Sequence, residues 1–200
     1  MKIFRTDFND EFVCIIGVAA NYDLNVDLKS PQSIGFGVSL NASHDLKLAA
    51  DFEWINWSNA FDKMTIKLSN GNNTNINTML GNNGTFNLDF PMNWKDAIVI
   101  KVGGEYDVNK DLTLRLGYAF GNNPVPETTI FPVFPAIVEN HLMIGASYKV
   151  SSPLTIHAAI ELGLNKSETA SNPSLIANEY NGSTSQLSTT LVHLAVSYSL

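Results

Sequence analysis

The chain has 200 residues, 44% of them hydrophobic but only 16% charged, against roughly a quarter in ordinary soluble domains. A net charge of −7, with 12 Lys and Arg scattered along the chain, excludes the concentrated basic face that a nucleic-acid partner requires. The lone cysteine, Cys14, excludes an intramolecular disulfide, and no Cys/His spacing matches a metal site, so no cofactor is expected.

Residues 1–11 carry no period and are unassigned. The run FVCIIGVAA at 12–20 resembles a signal-peptide core, but Asp7, Asp10 and Glu11 stand where a positive leader segment belongs. No stretch reaches the roughly 18 continuous apolar residues of a membrane helix. Residues 12–29 are compatible with strand, and Pro31 then interrupts, because proline has no amide hydrogen for a neighbouring strand. The segment 1–30 is therefore an uncertain, partly strand-like lead-in to a domain at 31–200.

From 34 to 40 the chain alternates, with Ile34, Phe36, Val38 and Leu40 on one face and Gly35, Gly37 and Ser39 on the other. After a short turn at 41–45, Leu48, Ala50, Phe52 and Trp54 form an apolar row, opposite Lys47, Asp51, Glu53 and Trp57. An interruption at 58–62 reads as a bulge, with residues 64–68 continuing the same strand. The Asn/Gly-rich run at 69–94 reads as a long solvated loop.

The clearest unit is the hairpin at 96–120. Ile98, Ile100, Val102 and Tyr106 share one face of its first arm, and Val99, Lys101, Gly103 and Glu105 the other. The second arm answers with Leu112, Leu114, Leu116, Tyr118 and Phe120 opposite Thr113, Arg115, Gly117 and Ala119. A second long loop, rich in proline, spans 121–140. Strands at 141–150 and 154–163 flank a tight turn at 151–153, a third long polar loop covers 165–186, and a final strand runs from 187 to 200.

Two regularities emerge from the whole series. Connections alternate short and long, the loop asymmetry of an outer-membrane barrel. Charge is confined to one face: Lys47, Asp51, Glu53, Lys101, Glu105, Arg115, Lys149 and Glu161 share it, and no apolar row is broken. A charge at the lipid midplane costs roughly 2–4 kcal/mol, which is reason enough for so clean a row. Trp54, Tyr106, Tyr118, Phe120, Tyr148 and Tyr198 lie near row ends, where interfacial girdles belong. A soluble sandwich or lipid-binding barrel also alternates, with its oily face inward. Strand lengths near the 9–11 residues of a membrane strand, low charge and loop asymmetry favour the membrane barrel.

The stretches PQSIGFGV at 31–38 and DLKLAADFEWINWS at 45–58 resemble the long-chain fatty acid and toluene outer-membrane transporter family. The likeness continues through NWKD at 93–96, GGEY at 103–106, LTLRLGY at 112–118, PVP at 124–126 and GASYK at 145–149. Glu127 replaces a more usual aspartate and Leu200 a terminal phenylalanine. The resemblance implies an all-β fold, the C-terminal portion of an antiparallel transmembrane β-barrel of about fourteen strands, of which about seven or eight are present. It further implies transport of a hydrophobic small molecule, a fatty acid or aromatic hydrocarbon, across the outer membrane of a Gram-negative bacterium. Outer-membrane lipid, the barrel assembly machinery and a missing N-terminal half are the expected partners, and Met1 is not expected to be the family's natural start. The alternatives are a non-transporting structural or remnant barrel, a soluble lipid-binding barrel, or an outer-membrane lipid hydrolase.

For the lumen, the candidate ligand contacts are Trp57, Lys101, Arg115 and Glu105, with packing at the rim the equal alternative for Trp57. Lys101 and Arg115 would meet a carboxylate head; alternatively they pair with Glu105 and Glu53 in a lumenal charge network. Catalysis would need Ser, His and an acid together. His141, His157, His193, Ser147 and Ser197 share the charged face, but no nucleophile-elbow motif is present and no enzyme is expected.

Overall fold

Alternation of this regularity leaves each strand with one apolar edge-on row and a free backbone ladder, and the rows are joined in a single seven-stranded sheet. The structure, a computed structural model, describes residues 12–13, 19–81, 83–130, 135, 137–171 and 180–199. Residues 1–11, Cys14, parts of the second and third long loops, and Leu200 lie outside the described residues. The strands are β1 (Phe12–Val13), β2 (Ala19–Ala20), β3 (Asp23–Val26), β4 (Gln32–Asn41), β5 (Leu46–Asn56), β6 (Lys63–Ser69), β7 (Phe86–Pro91), β8 (Ala97–Asp107), β9 (Leu112–Gly121), β10 (Asn140–Ser151), β11 (Leu154–Thr169) and β12 (Thr184–Tyr198). Among the described residues two short helices, α1 (Trp57–Ala60) and α2 (Thr74–Met79), complete the set.

The main sheet has the order β12-β11-β10-β9-β8-β5-β4, and every neighbouring pair is antiparallel. Even-numbered residues meet even-numbered ones across it: Phe36 opposes Phe52, Phe52 opposes Ile100, and Ile100 opposes Phe120. Ile144 likewise lies between Leu116 and Ile160. The apolar rows therefore fuse into one continuous face. The short connections, at 42–45, 108–111 and 152–153, gather at one end. Asn109 closes the middle one, its Oδ1 accepting from the Asp111 and Leu112 amides at 2.9 and 3.0 Å. The connections 57–96, 122–139 and 170–183 gather at the other.

Among the described residues no second layer covers the apolar face. Phe36 is 71% exposed and Leu194 79%, while on the charged face Ser147 is only 6% exposed. A soluble sandwich of this pattern would show the reverse, because burying the apolar rows is what drives its folding. The largest fully buried side chains among the described residues, Ile130 and Ile137, belong to the connection 122–139 at the long-loop end. Such an arrangement, oily outside and polar inside, is that of a transmembrane barrel wall. Tyr106, Tyr148 and Tyr198 stand near the short-turn end of the apolar face and Trp54, Tyr118 and Phe120 near the other, as girdles require.

Three local expectations change. Residues 63–69 do not prolong β5; α1 turns the chain away, and β6 joins β3 and β7 in a separate three-stranded sheet. The run 69–94 is not merely loop, since it holds α2 and β7. Asn73 caps α2 through the Asn75 and Ile76 amides, and buried Asn77 accepts from Tyr22 Oη at 2.7 Å while donating to the Gly71 carbonyl at 2.9 Å. A Cβ on Gly71 would stand 2.4 Å from the Tyr22 ring, so that close approach demands glycine. Finally, β11 and β12 run on together beyond the apolar rows to Thr169 and Thr184, shortening the third long loop to 170–183.

Candidate functional site

The polar face can be read as rungs across the sheet. One rung holds Asn41, Lys47, Glu105, Arg115, Gly145, Ala159 and His193. The next holds Ala49, Gly103, Gly117, Met143 and Glu161. A third carries Gly37, Asp51, Lys101, Ala119 and His141.

Arg115 is committed within the sheet. Its Nε donates to Glu105 Oε2 at 2.7 Å and its Nη1 donates to Ser147 Oγ. From Ser147 the chain of bonds continues to His157 Nδ1 at 2.7 Å, and from His157 Nε2 to Ser197 Oγ at 3.0 Å. Since arginine can only donate, the arrangement that satisfies every member has Ser147 donating to Nδ1 and Nε2–H donating to Ser197. The network ties β8 to β12 through side chains, with Glu105–Arg115 and Ser147–His157 directly opposite in the ladder and Arg115–Ser147 and His157–Ser197 reaching diagonally. Lys101 differs. Among the described residues it makes no ion pair, and it lines a shallow polar trough of about 300 Å³ with Gly35, Gly37, Asp51 and Glu53. Lys47 and Lys149 are also without ion pairs there, but they lie toward the short-turn end, whereas Lys101 is in the middle of β8.

Trp57 sits elsewhere. Alternation puts it on the lumen face of a strand, but the strand ends at Asn56 and Trp57 opens α1, where it packs on Phe61 and Trp94 with ring centroids 5.5 and 5.2 Å apart. Phe61 and Trp94 stack at 4.7 Å, completing an aromatic cluster at the long-loop rim. Asp96 fastens α1 beside this cluster. Hydrogen bonds from the Ser58 hydroxyl and then its backbone N–H, which lies 3.1 Å from Asp96 Oδ1, hold this carboxyl below the ordinary carboxylate value. Because the folded value is the lower one, the stabilisation is complete above the unfolded pKa of about 3.9 and is lost as pH falls through the folded value. Acidification below about pH 4 is therefore expected to loosen the Trp57–Trp94 cluster, read by tryptophan fluorescence, and Asp96→Asn to remove that transition.

Sequence reasoning missed a second cluster, although all its members were on the charged face. Glu161 Oε1 meets His141 Nδ1 at 2.9 Å, and Oε2 stands 3.9 Å from His193 Nε2. The signal that would have found it is cross-strand register, which a single sequence does not state. Ser147, His157 and Ser197 do come together, but both ring nitrogens of His157 are taken by serines, so no carboxylate orients the ring. Ser147 also lies within the ladder between Thr113 and His157, so its amide is not free to hold an oxyanion. The arrangement suits bracing and a polar lumen, not acyl transfer.

An antiparallel sheet with an open, uncharged apolar face and all these charges on the opposite one defines a piece of a transmembrane β-barrel wall. The family model for outer membrane protein transport proteins (OMPP1/FadL/TodX) matches residues 5–200, and the chain belongs to that family. Solved structures of similar fold include the Pseudomonas putida toluene transporter TodX, at 24% identity and TM-score 0.62 over 90% of this chain and 37% of that one. A Pseudomonas aeruginosa FadL homologue gives 20% identity and TM-score 0.60, over 88% and 37%. The Ralstonia pickettii toluene transporter TbuX gives 18% and 0.59, over 90% and 40%. The chain thus spans about two fifths of the length of these channels. No curated protein matches it.

Proposed function

We propose that this chain forms part of the wall of a channel that carries hydrophobic compounds, long-chain fatty acids or aromatic hydrocarbons, across the outer membrane of a Gram-negative bacterium. The observation that carries the reading is the separation of faces, with the apolar rows standing exposed on one side and Lys47, Asp51, Lys101, Glu105, Arg115 and Glu161 confined to the other, in a chain of this family. In this reading Lys101 meets a carboxylate head in the lumen, since it is the mid-strand cation left without an ion pair among the described residues. Arg115 and Glu105 are the brace beside it, and Trp57 offers an apolar ring surface at the long-loop rim.

A chimera tests the reading: this chain replaces the matching segment of the P. putida toluene transporter, and uptake of oleate and of toluene is followed in cells lacking their own channel. Uptake of both solutes is expected. Lys101→Ala should then lower oleate uptake about tenfold, the loss of one charge-assisted contact, and leave toluene uptake unchanged. A chimera that assembles yet passes neither solute contradicts the transport reading, and equal effects on the two solutes contradict the role of Lys101.

A further inference from the structure

The apolar face is continuous but not flat. The rung that runs from Leu40 and Leu48 through Leu116 and Ile144 to Val192 carries a large apolar side chain on every strand but β8, where Gly104 stands. Around that gap lies a groove of about 700 Å³, walled by Leu48, Val102, Tyr106, Leu116 and Tyr118. A Cβ on Gly104 would meet Leu48 Cδ2 at 3.3 Å, so the neighbouring leucine leans over the gap without filling it. The groove has one mouth. Toward the long-loop end the next rung, Phe52, Ile100 and Phe120, is bulky throughout and closes it. Toward the other end it opens past the paired Leu46 and Tyr106, at the turns 42–45 and 108–111. Along β9 from Leu114 to Tyr118 it extends for about 14 Å, close to half of a roughly 30 Å hydrocarbon core.

We propose that this groove is the seat of one phospholipid from the leaflet at the short-turn end, its tail lying on Gly104 and its head carrying an ammonium group. An apolar groove in a lipid-facing surface holds no water, because water there has no polar partners, and lipid tails are what surrounds it. A strand glycine marks a place where another molecule can approach the backbone closely. A tail lying there touches Leu48 on one side and Leu116 on the other, and gains dispersion contacts that a tail against the rest of the face does not. The headgroup follows from the charge at the mouth. The two turns and the strand end beside them carry Asp45, Asp107 and Asp111, all exposed, against Lys110 and His44. Asp107 accepts from the Thr113 hydroxyl at 2.6 Å, while Asp45 and Asp111 make no ion pair among the described residues. An excess of carboxylate repels a head whose only charge is its phosphate and attracts one that adds an ammonium.

The proposal rests on the barrel-wall reading, which heat-dependent gel migration of the chimera described above checks separately, since only an assembled barrel shifts. Assembled chimera is extracted with a mild detergent from vesicles of equal phosphatidylethanolamine and phosphatidylglycerol, and the lipids it keeps are counted and identified by native mass spectrometry. Gly104→Leu, which fills the groove, is expected to lose one phosphatidylethanolamine that the unaltered chimera keeps. That lipid should be preferred over phosphatidylglycerol about fivefold, the effect of roughly one charge at the headgroup level. Asp45→Asn with Asp111→Asn should keep the lipid and remove the preference. Ala158→Leu, on the same face outside the groove, should change neither. If Gly104→Leu does not assemble, Gly104→Ala, which adds one methyl group, gives the same comparison with a partial loss. Retention that survives filling of the groove, or is lost equally in Ala158→Leu, would overturn the proposal. So would phosphatidylglycerol kept as readily by the unaltered chimera, or a dimer that disappears with Gly104→Leu, which would put a second copy in the groove.

Discussion

Leu116→Arg is expected to destabilise the protein strongly in a lipid bilayer, because Leu116 is 60% exposed in the middle of the apolar face of β9. A guanidinium there must be desolvated or must distort the bilayer, at a cost of about 2–4 kcal/mol near the midplane. The adjacent position makes the control. A Cβ on Gly117 meets Met143 at an ordinary 3.6 Å on the polar face, so Gly117→Arg adds a cation to a lumen that already holds several. Urea titration of protein inserted in lipid vesicles should show a large loss for Leu116→Arg and a small change for Gly117→Arg. Equal losses would mean that the two faces of β9 do not differ in environment.

Ile137→Ala carries the second large expected effect. The side chain is 0% exposed and Ile130 in the same connection 1%, so these are the largest fully buried side chains among the described residues, at the long-loop end. Truncation removes buried methyl and methylene groups and leaves a cavity, a loss of about 2–5 kcal/mol, against about 0.5–1.5 for Ile137→Val. The loss should fall on the loops rather than on the sheet. The tertiary near-ultraviolet signal of Trp57 and Trp94 is therefore expected to disappear at lower denaturant than the far-ultraviolet strand signal. A single coincident transition at the unaltered midpoint would show that Ile137 does not hold the loops.

Where the sequence spoke clearly, the physics was a period of two enforced by lipid. The row Leu112, Leu114, Leu116, Tyr118 and Phe120 admits one face assignment, and the register found in the structure joins it to the rows of β8 and β10 without a break. The polar connections were harder, because no solvent boundary imposes a period on them. Residues 63–69 contain apolar positions that fit a continued β5, yet the turn of α1, with Asn56 accepting from the Asn59 amide at 3.3 Å, redirects them into a second sheet. The asparagines of 69–94, which suggested only loop, serve as a helix cap at Asn73 and a buried anchor at Asn77. The outer parts of β11 and β12 are polar and unpatterned, and are strands because each has the other to pair with.

The charged face was legible as a list of residues but not as a set of pairs. Alternation put Arg115, Glu105, Ser147 and His157 on one side and offered Glu105 as a partner in a charge network; the structure pairs Arg115 with Glu105, adds Ser147 on a second guanidinium nitrogen, and leaves Lys101 without an ion pair among the described residues. Trp57 stands one residue past the end of β5, where alternation no longer applies, and packs with Phe61 and Trp94 at the long-loop rim, the second of the two places the sequence left open for it.

The central claim is that the even-numbered face of this sheet meets lipid and the odd-numbered face meets water. Its most direct measurement is a scan of β9, placing a single nitroxide label at each position from 112 to 120 of the membrane-inserted protein and comparing collision with oxygen, which concentrates in lipid, and with a water-soluble nickel complex. The account predicts oxygen maxima at 112, 114, 116, 118 and 120 and nickel maxima at 113, 115, 117 and 119. Maxima in the opposite phase, or no alternation, would contradict it.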